Sequence, residues 1–290
     1  MKSCVYISIF PVVYEVTSDA LLVVGEDCAG FCSTEQPAFL ENQIRVFVKI
    51  KAVDVSSRID GDIVYAMSNC MVMTHRNLEC RILMGEVNAY YRETDENHIV
   101  VEICQADKKS IYINTALLEA FALERFLLRG NALVLHSSFV EWRGQGIVFT
   151  APSGTGKSTQ AALWHQHEEA EIINGDRSVI MEDREGCFWV GGLPFCGSSH
   201  ICRNKVMPLK AVVFIGQSPE NFVEKMAKPQ AVSRLLGEMS INRWNKEAVM
   251  QSYNLINSLA CSVPMVCLKC NMEQSAVVAL KNFLETGLKS

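Results

Sequence analysis

The chain has 290 residues, of which 49% are hydrophobic and 20% charged, and its formal net charge is −5. This much apolar material is enough for one or two packed cores, so the composition excludes an intrinsically disordered chain. The acidic balance argues against a protein that covers nucleic-acid phosphates over a broad face, and no apolar run reaches the roughly 20 residues that a membrane-spanning helix needs.

Residues 1–112 are predicted to form a β-rich N-terminal region that carries no catalytic constellation. Short β-branched or alternating runs indicate strands, and turn-forming residues separate them. These runs cover residues 5–10, 20–24, 44–50, 81–84 and 99–103. The apolar start is interpreted as a strand and not as a secretion signal, because it lacks a small-residue cleavage site and continues into Glu15. We therefore expect a cytoplasmic protein.

The cysteines are numerous but scattered. There are 12 of them, and without a secretion signal they are most simply reduced thiols. Cys267 and Cys270 have the spacing of a redox or zinc pair. The residues around them are predicted to form a strand, on which side chains three positions apart point to opposite faces. We therefore expect core thiols at these positions and no shared metal.

Residues 113–290 are predicted to form a second region, an α/β domain. Asn114 or Thr115 can cap a helix over residues 115–129, and Gly130 lies just past its end. Two strands follow at 132–142 and 147–150. Further strands are predicted at 172–173, 179–181, 187–190, 211–215 and 265–268, and further helices at 231–239, 246–259 and 273–284.

A phosphate-binding loop is predicted at residues 151–159, Ala-Pro-Ser-Gly-Thr-Gly-Lys-Ser-Thr. It matches the pattern G-x-x-x-x-G-K-[ST], except that Ala151 replaces the first glycine. Glycines let successive backbone N–H groups point inward at a phosphate, and the helix that follows adds its N-terminal amides. Lys157 would contact phosphate oxygens and Ser158 would bind Mg²⁺. The residues expected to hold a nucleoside triphosphate are Ser153, Gly154, Thr155, Gly156, Lys157, Ser158 and Thr159.

A carboxylate for metal binding or base catalysis is predicted at Asp176, which follows the short apolar run 172–173. The alternative is an ordinary turn-forming aspartate after Asn-Gly. Residues 191–205 contain many glycines, hydroxyls and cations, which is typical of a lid or substrate loop. Ser198, Ser199 and Arg203 are its weaker candidates for orienting an acceptor. For Arg203 an ordinary solvated surface cation fits equally well.

The segment from about 136 to 215 resembles the HPr kinase/phosphorylase family of the PEP carboxykinase-like P-loop superfamily. The resemblance rests on His136 before a hairpin, the Gly-Lys-Ser-Thr loop, the acidic motif 175–177 and the Gly-x-Pro element 192–194. It implies a compact α/β kinase core and Mg²⁺- and ATP-dependent phosphorylation of a hydroxyl. Acceptors in such proteins are a serine of a carrier protein, free serine or a modified-peptide precursor.

The sequence departs from that family at one position. The family has two adjacent aspartates, one as base and one near the metal, where this chain has Gly175 and Asp176. Either Asp176 serves both purposes, or His136 or another residue supplies the base. A neutral histidine is chemically suited to that task, although a core histidine bonded to a strand carbonyl is the plain alternative.

Three functional interpretations follow from these residues. The first is an ATP- and Mg²⁺-dependent kinase for a hydroxyl acceptor, in which Asp176, His136 and Lys157 are catalytic and Ser158 and Asp176 bind the metal. The second is a nucleotide-responsive protein of the same fold that recognises a peptide or protein without transferring phosphate. The third is the reverse reaction, dephosphorylation of a phosphoserine. No nucleic-acid or membrane partner is expected, and homo-oligomer formation is left open.

Overall fold

The computed structural model describes residues 3–38, 43–54, 61–76 and 78–287. It shows a mixed α/β protein that divides into two compact units, Met1–Gly130 and Asn131–Ser290. Within the described ranges, no helix combines the length and the apolar character needed to cross a bilayer.

The first unit is built around a nine-stranded mixed sheet and a small two-stranded sheet. Its strands are β1 (Ser3–Ile9), β2 (Val12–Ser18), β3 (Leu21–Val24), β4 (Cys32–Ser33), β5 (Ile44–Val53), β6 (Asp62–Ala66), β7 (Cys70–His75), β8 (Leu78–Leu83), β9 (Ala89–Glu93), β10 (His98–Cys104) and β11 (Ser110–Ile113). The large sheet has the order β4-β1-β2-β5-β10-β9-β8-β7-β6, and β11 pairs with β3. The five predicted strand runs all fall on strands, and the sequence missed most of the remaining ones.

The helices after β11 pack within the first unit. Asn114, one of the two expected caps, caps α1 (Thr115–Leu118) by accepting a hydrogen bond from the Leu117 N–H. The single predicted helix over 115–129 is wrong, because Ala122 adopts φ 52° and separates α1 from α2 (Leu123–Arg129). The ring of Tyr14 lies 5.4 Å from that of Phe121 and 6.0 Å from that of Phe126. These helices belong to the first compact unit, which ends at Gly130, whereas the domain boundary expected from the sequence lies at 112.

Within the described residues, the second unit combines eight strands with four α-helices. They are β12 (Ala132–Trp142), β13 (Gln145–Thr150), α3 (Lys157–Glu168), β14 (Glu171–Asn174), β15 (Arg177–Glu182), β16 (Phe188–Gly192), β17 (Val206–Gln217), β18 (Phe222–Lys225), α4 (Lys228–Glu238), α5 (Lys246–Ser262), β19 (Met265–Cys270) and α6 (Gln274–Asn282). Every helix and strand predicted for this unit has a counterpart here.

Two long strands of the second unit change partners along their length. Strand β12 pairs with β15 through residues 132–136 and with β13 through residues 137–142. Strand β17 pairs first with β16 and then with β13 and β19. The change of partner in β12 brings the end of β13 and the start of β15 together, because His136 faces Arg177 and the next residue, Ser137, faces Thr150.

The core beneath these strands is apolar and aromatic. Trp164 of α3 is fully buried and packs edge-on against Trp142, with ring centroids 5.2 Å apart. Cys267 and Cys270 are both buried on β19, and burial raises the pKa of Cys270 to about 11. A thiol in that environment stays protonated, so it is a poor metal ligand or redox nucleophile.

Candidate functional site

The loop between β13 and α3 has a backbone that requires glycine. Gly154 has φ 78° and Gly156, the N-cap of α3, has φ 117°. L-residues with a side chain rarely adopt these conformations. The space beside both α-carbons is open, so a ligand can approach the backbone there. Ser153 and Ser158 are exposed, whereas Thr155 and Thr159 are partly buried.

Lys157 lies at the first position of α3 and is buried, with 7% exposure. Its ammonium donates to the loop's own carbonyl oxygens, Ala151 O at 2.8 Å and Pro152 O at 3.4 Å. Burial lowers the pKa of Lys157, and the negative charges of Glu238 and Asp176 oppose that shift. Lys157, the lysine expected at the phosphates, therefore donates to two carbonyl oxygens of its own loop. Its ammonium also interacts electrostatically with two carboxylates.

The loop is connected to the Asp176 turn through the carbonyl oxygen of Gly175. The Ser138 hydroxyl donates to this oxygen at 3.0 Å, and the Ser158 hydroxyl lies 3.4 Å from it. The two hydroxyls are also 3.4 Å apart. Ser158 therefore lies beside the residue that precedes Asp176. The sequence did not single out Ser138, which is buried on β12.

The turn that presents Asp176 is made by Asn174 and not by the aspartate itself. The buried Asn174 side-chain oxygen accepts from the backbone N–H groups of Asp176 and Arg177, both at 2.9 Å. Its amide nitrogen donates to Leu193 O at 2.6 Å. The Asp176 carboxylate has no part in these bonds and is 32% exposed. The explanation of Asp176 as a turn former is therefore unnecessary, since Asn174 does that work.

His136 lies between two carboxylates. Its Nδ1 is 3.0 Å from Glu238 Oε2, and its Nε2 is 3.8 Å from Asp176 Oδ1. The ring is one-third exposed, with 33% of the side chain accessible. A core histidine bonded to a strand carbonyl does not describe this ring. The Asp176 carboxylate is also 3.4 Å from the Arg177 guanidinium. The four side chains therefore form a row of contacts in the order Glu238, His136, Asp176, Arg177.

Glu238 is the residue that sequence reasoning missed. It is the last residue of α4, and the following residues bind to β12: Met239 forms a bridge with Leu135, and the Ser240 N–H donates to Val134 O at 3.0 Å. This pairing sets Glu238 opposite His136. A carboxylate in the last turn of a helix is electrostatically unfavourable, because the carbonyl end of the helix dipole is negative. Its carboxylate has the His136 Nδ1 at 3.0 Å and attracts the Lys157 ammonium.

The expected lid residues lie along a loop that is bonded to β14. The Gly175 N–H donates to Ile201 O at 3.2 Å, and the Arg203 N–H donates to Ile173 O at 2.9 Å. A Cβ on Gly175 would lie 2.0 Å from the Ser199 hydroxyl oxygen, so this close approach requires glycine.

The three lid candidates differ in where their side chains lie. Ser199 lies against Gly175, and Ser198 is exposed. The Arg203 guanidinium lies 3.1 Å from Glu171 and donates to Ile172 O at 3.2 Å, so it is committed to β14 and its neighbours.

A magnesium site was expected at Ser158 and Asp176. In the described part of the chain, no group of three or more His, Cys, Asp or Glu side chains could hold a metal ion by itself. Mg²⁺ differs from structural metals in this respect, because it is usually held by one or two protein oxygens together with water and substrate phosphates. Ser158, whose hydroxyl lies 3.4 Å from Gly175 O, and Asp176, the next residue in the chain, supply a hydroxyl and a carboxylate, which are oxygen ligands of the kind that Mg²⁺ takes.

A comparison with protein-family models identifies the family. The model described as "SynChlorMet cassette protein ScmC" matches residues 99–276, more than half of the 290 residues. The chain belongs to the ScmC family. The segment that this ScmC model matches includes the 151–159 loop, the Asp176 turn and Glu238.

Comparison with solved structures gives a weak similarity to the HPr(Ser) kinase/phosphatase from Coxiella burnetii. The TM-score is 0.31 and the sequence identity 10%, and the match covers 54% of this ScmC-family chain and 99% of that chain. The comparison with curated proteins gives no match. Membership of the HPr kinase/phosphorylase family therefore stays a hypothesis based on the motifs of this sequence.

Proposed function

We propose that this ScmC-family protein is an ATP- and Mg²⁺-dependent kinase with a P-loop core that phosphorylates a hydroxyl of the serine type. The observation that supports it best is the convergence of Lys157 with the Asp176–His136–Glu238 cluster at the end of a glycine-dependent loop. A loop with a purely structural role would not need two carboxylates acting on its lysine, with a histidine between them.

Binding of the polyphosphate is assigned to the 151–159 loop. Its backbone N–H groups and the N-terminal amides of α3 provide donors, and the Lys157 ammonium provides the positive charge. Ser158 and Asp176 would hold Mg²⁺, which neutralises charge on the phosphate oxygens when bound. Lys157 then exchanges its bonds to the Ala151 and Pro152 carbonyls for phosphate oxygens.

Proton transfer is assigned to Asp176 and His136. The Asp176 carboxylate lies at the exposed side of the cluster and can accept the proton of an acceptor hydroxyl. His136, 3.8 Å away, can take up that proton or stabilise the carboxylate. Glu238 is a positioning residue: it bonds Nδ1 of the ring and so fixes which nitrogen faces Asp176. This arrangement adds a second carboxylate, from α4, to the cluster, in a role different from that of the second aspartate in the sequence motif.

The test of the proposed function is direct phosphoryl transfer. We expect label from [γ-³²P]ATP with magnesium to appear on free serine, on free threonine or on a small carrier protein or peptide with a serine. The labelled product should withstand mild acid, as a phosphate ester does, whereas a phosphohistidine is hydrolysed under the same conditions. Triphosphate binding without transfer to any of these hydroxyls would favour the non-catalytic recognition protein.

Replacing Glu238 by glutamine tests its assignment as a positioning residue. The substitution keeps the shape and removes the charge 3.0 Å from His136 Nδ1, so we expect kcat to fall about 10- to 100-fold with KM for the triphosphate little changed. The decisive readout is a double-mutant cycle with His136→Gln. If Glu238 acts through His136, the second substitution costs little once the first is present.

Glu247→Gln is the matched control, because Glu247 is exposed near the start of α5. It should leave kcat unchanged. Additive effects of Glu238→Gln and His136→Gln would show that Glu238 has an independent role and would remove the assignment.

A further inference from the structure

A cavity of about 580 Å³ lies beside the phosphate-binding loop. Gly154, Gly156 and Thr159 form its loop side, and the segments that follow β17 and β19 form the opposite side. Its volume lies within the range of small-molecule sites. Nothing in the roles assigned to Lys157, Asp176 and His136 uses this space.

Gln160 lines this cavity and contains an unsatisfied polar atom. The residue is 2% exposed, and its side-chain nitrogen donates to Asn271 O at 3.2 Å and to Cys270 Sγ at 3.3 Å. The Asn271 carbonyl can only accept, so the amide orientation is fixed with nitrogen towards β19. The amide oxygen, Oε1, then has no hydrogen-bond partner among the residues that the structure describes. Buried hydrogen-bond acceptors are normally paired, so we expect a hydrogen-bond donor to bind to this oxygen.

The remaining cavity walls are held together by hydrogen bonds and are partly apolar. Asn221 donates to Asn271 Oδ1 at 2.8 Å and accepts from the Asn271 N–H at 2.9 Å, which ties the segments after β17 and β19 together. Ile215 is buried below, and Met272 is 77% exposed at the rim. A preformed cavity with an aliphatic and a thioether surface suits a flat ring.

We propose that this cavity holds the nucleoside of the triphosphate, and that Gln160 Oε1 accepts a hydrogen bond from the exocyclic amino group of an adenine (N6) or cytosine (N4) base. The inference rests on the proposed function, because the loop that lines the cavity is the one assigned to the phosphates. Adenine and cytosine both present such an amine. Hypoxanthine and uracil present a carbonyl oxygen in its place, which would face the Gln160 oxygen with no proton between them.

Calorimetric titration with magnesium tests this in two matched pairs, ATP against ITP and CTP against UTP, with tripolyphosphate as the probe without a nucleoside. In the unmodified chain we expect the amino-bearing nucleotide of the preferred pair to bind about tenfold more tightly than its carbonyl counterpart. The pair that shows the larger difference identifies the base. Tripolyphosphate should bind more weakly than either nucleotide of that pair.

Gln160→Met removes the acceptor while keeping a chain of similar length. The tenfold preference should disappear, and the Kd of tripolyphosphate should stay the same. Gln166→Met is the matched control, since Gln166 is exposed on the same helix, and it should keep the preference.

Equal affinities within both pairs in the unmodified chain would overturn the inference without needing any variant. So would tripolyphosphate that binds as tightly as the nucleotides. Either result leaves the phosphate loop itself standing. If tripolyphosphate also fails to bind, the proposed function fails first, and the assignment of the cavity fails with it.

Discussion

Phosphoryl transfer by the Lys157→Ala variant is expected to fall by about 10³-fold or more. Lys157 is the cation in the loop, and its ammonium is the group that can neutralise charge on the transferred phosphoryl oxygens. The loss should appear in kcat as well as in nucleotide affinity, because charge on those oxygens changes during transfer. The measurement is initial rates with labelled ATP and the best hydroxyl acceptor, together with Kd for the triphosphate.

A folded variant is needed to interpret that result, since Lys157 also donates to Ala151 O and Pro152 O. Lys281→Ala is the matched control: it removes a lysine of the same unit whose ammonium pairs with Glu168 at 2.9 Å. It should lower stability by no more than about 1 kcal/mol and leave transfer intact. Unchanged phosphoryl transfer in a folded Lys157→Ala variant would contradict the assignment of the 151–159 loop to phosphate binding.

The strand–loop–helix backbone around residues 151–159 was predictable because its determinants are consecutive in sequence. A strand, two glycines at positive φ and a helix starting at Lys157 are local features, and each depends on residues a few positions away. The cap at Asn114 was predictable for the same reason. Ala122 interrupts the predicted helix because its burial in the first unit outweighs the conformational cost of φ 52° for alanine. The residues next to Ala122 in the sequence do not indicate this interruption.

Glu238 could not be found by such reasoning. Its contact with His136 spans 102 residues and depends on the backbone pairing of residues after α4 with β12. An acidic residue at a helix end has no distinctive spacing to any motif, although its place at the negative end of the dipole is a weak signal that it has a partner. The role of Asn174 was hidden for a different reason, because Asn-Gly-Asp fits a turn whichever side chain makes it.

Asp176→Asn separates a kinase from a binding protein. The Asp176 turn is held by Asn174 and by backbone groups, so the substitution should keep the fold and change only the carboxylate. Removing this acceptor of the hydroxyl proton should lower turnover about 10²- to 10⁴-fold. Nucleotide affinity should change by only a few-fold, since the loop amides and Lys157 remain. Turnover and Kd measured on the same preparation give both numbers.

The chain offers a matched control at the other end of β15. Asp183 also lies in a turn, where its carboxylate accepts from the backbone of Glu185 and Cys187 and from the Trp189 indole. Asp183→Asn should lower stability and leave turnover unchanged, the reverse of Asp176→Asn. A nucleotide-dependent recognition protein predicts another outcome: no turnover in either variant, and partner affinity that Asp176→Asn leaves intact. The two substitutions therefore decide whether the carboxylate beside His136 takes part in chemistry or only in binding.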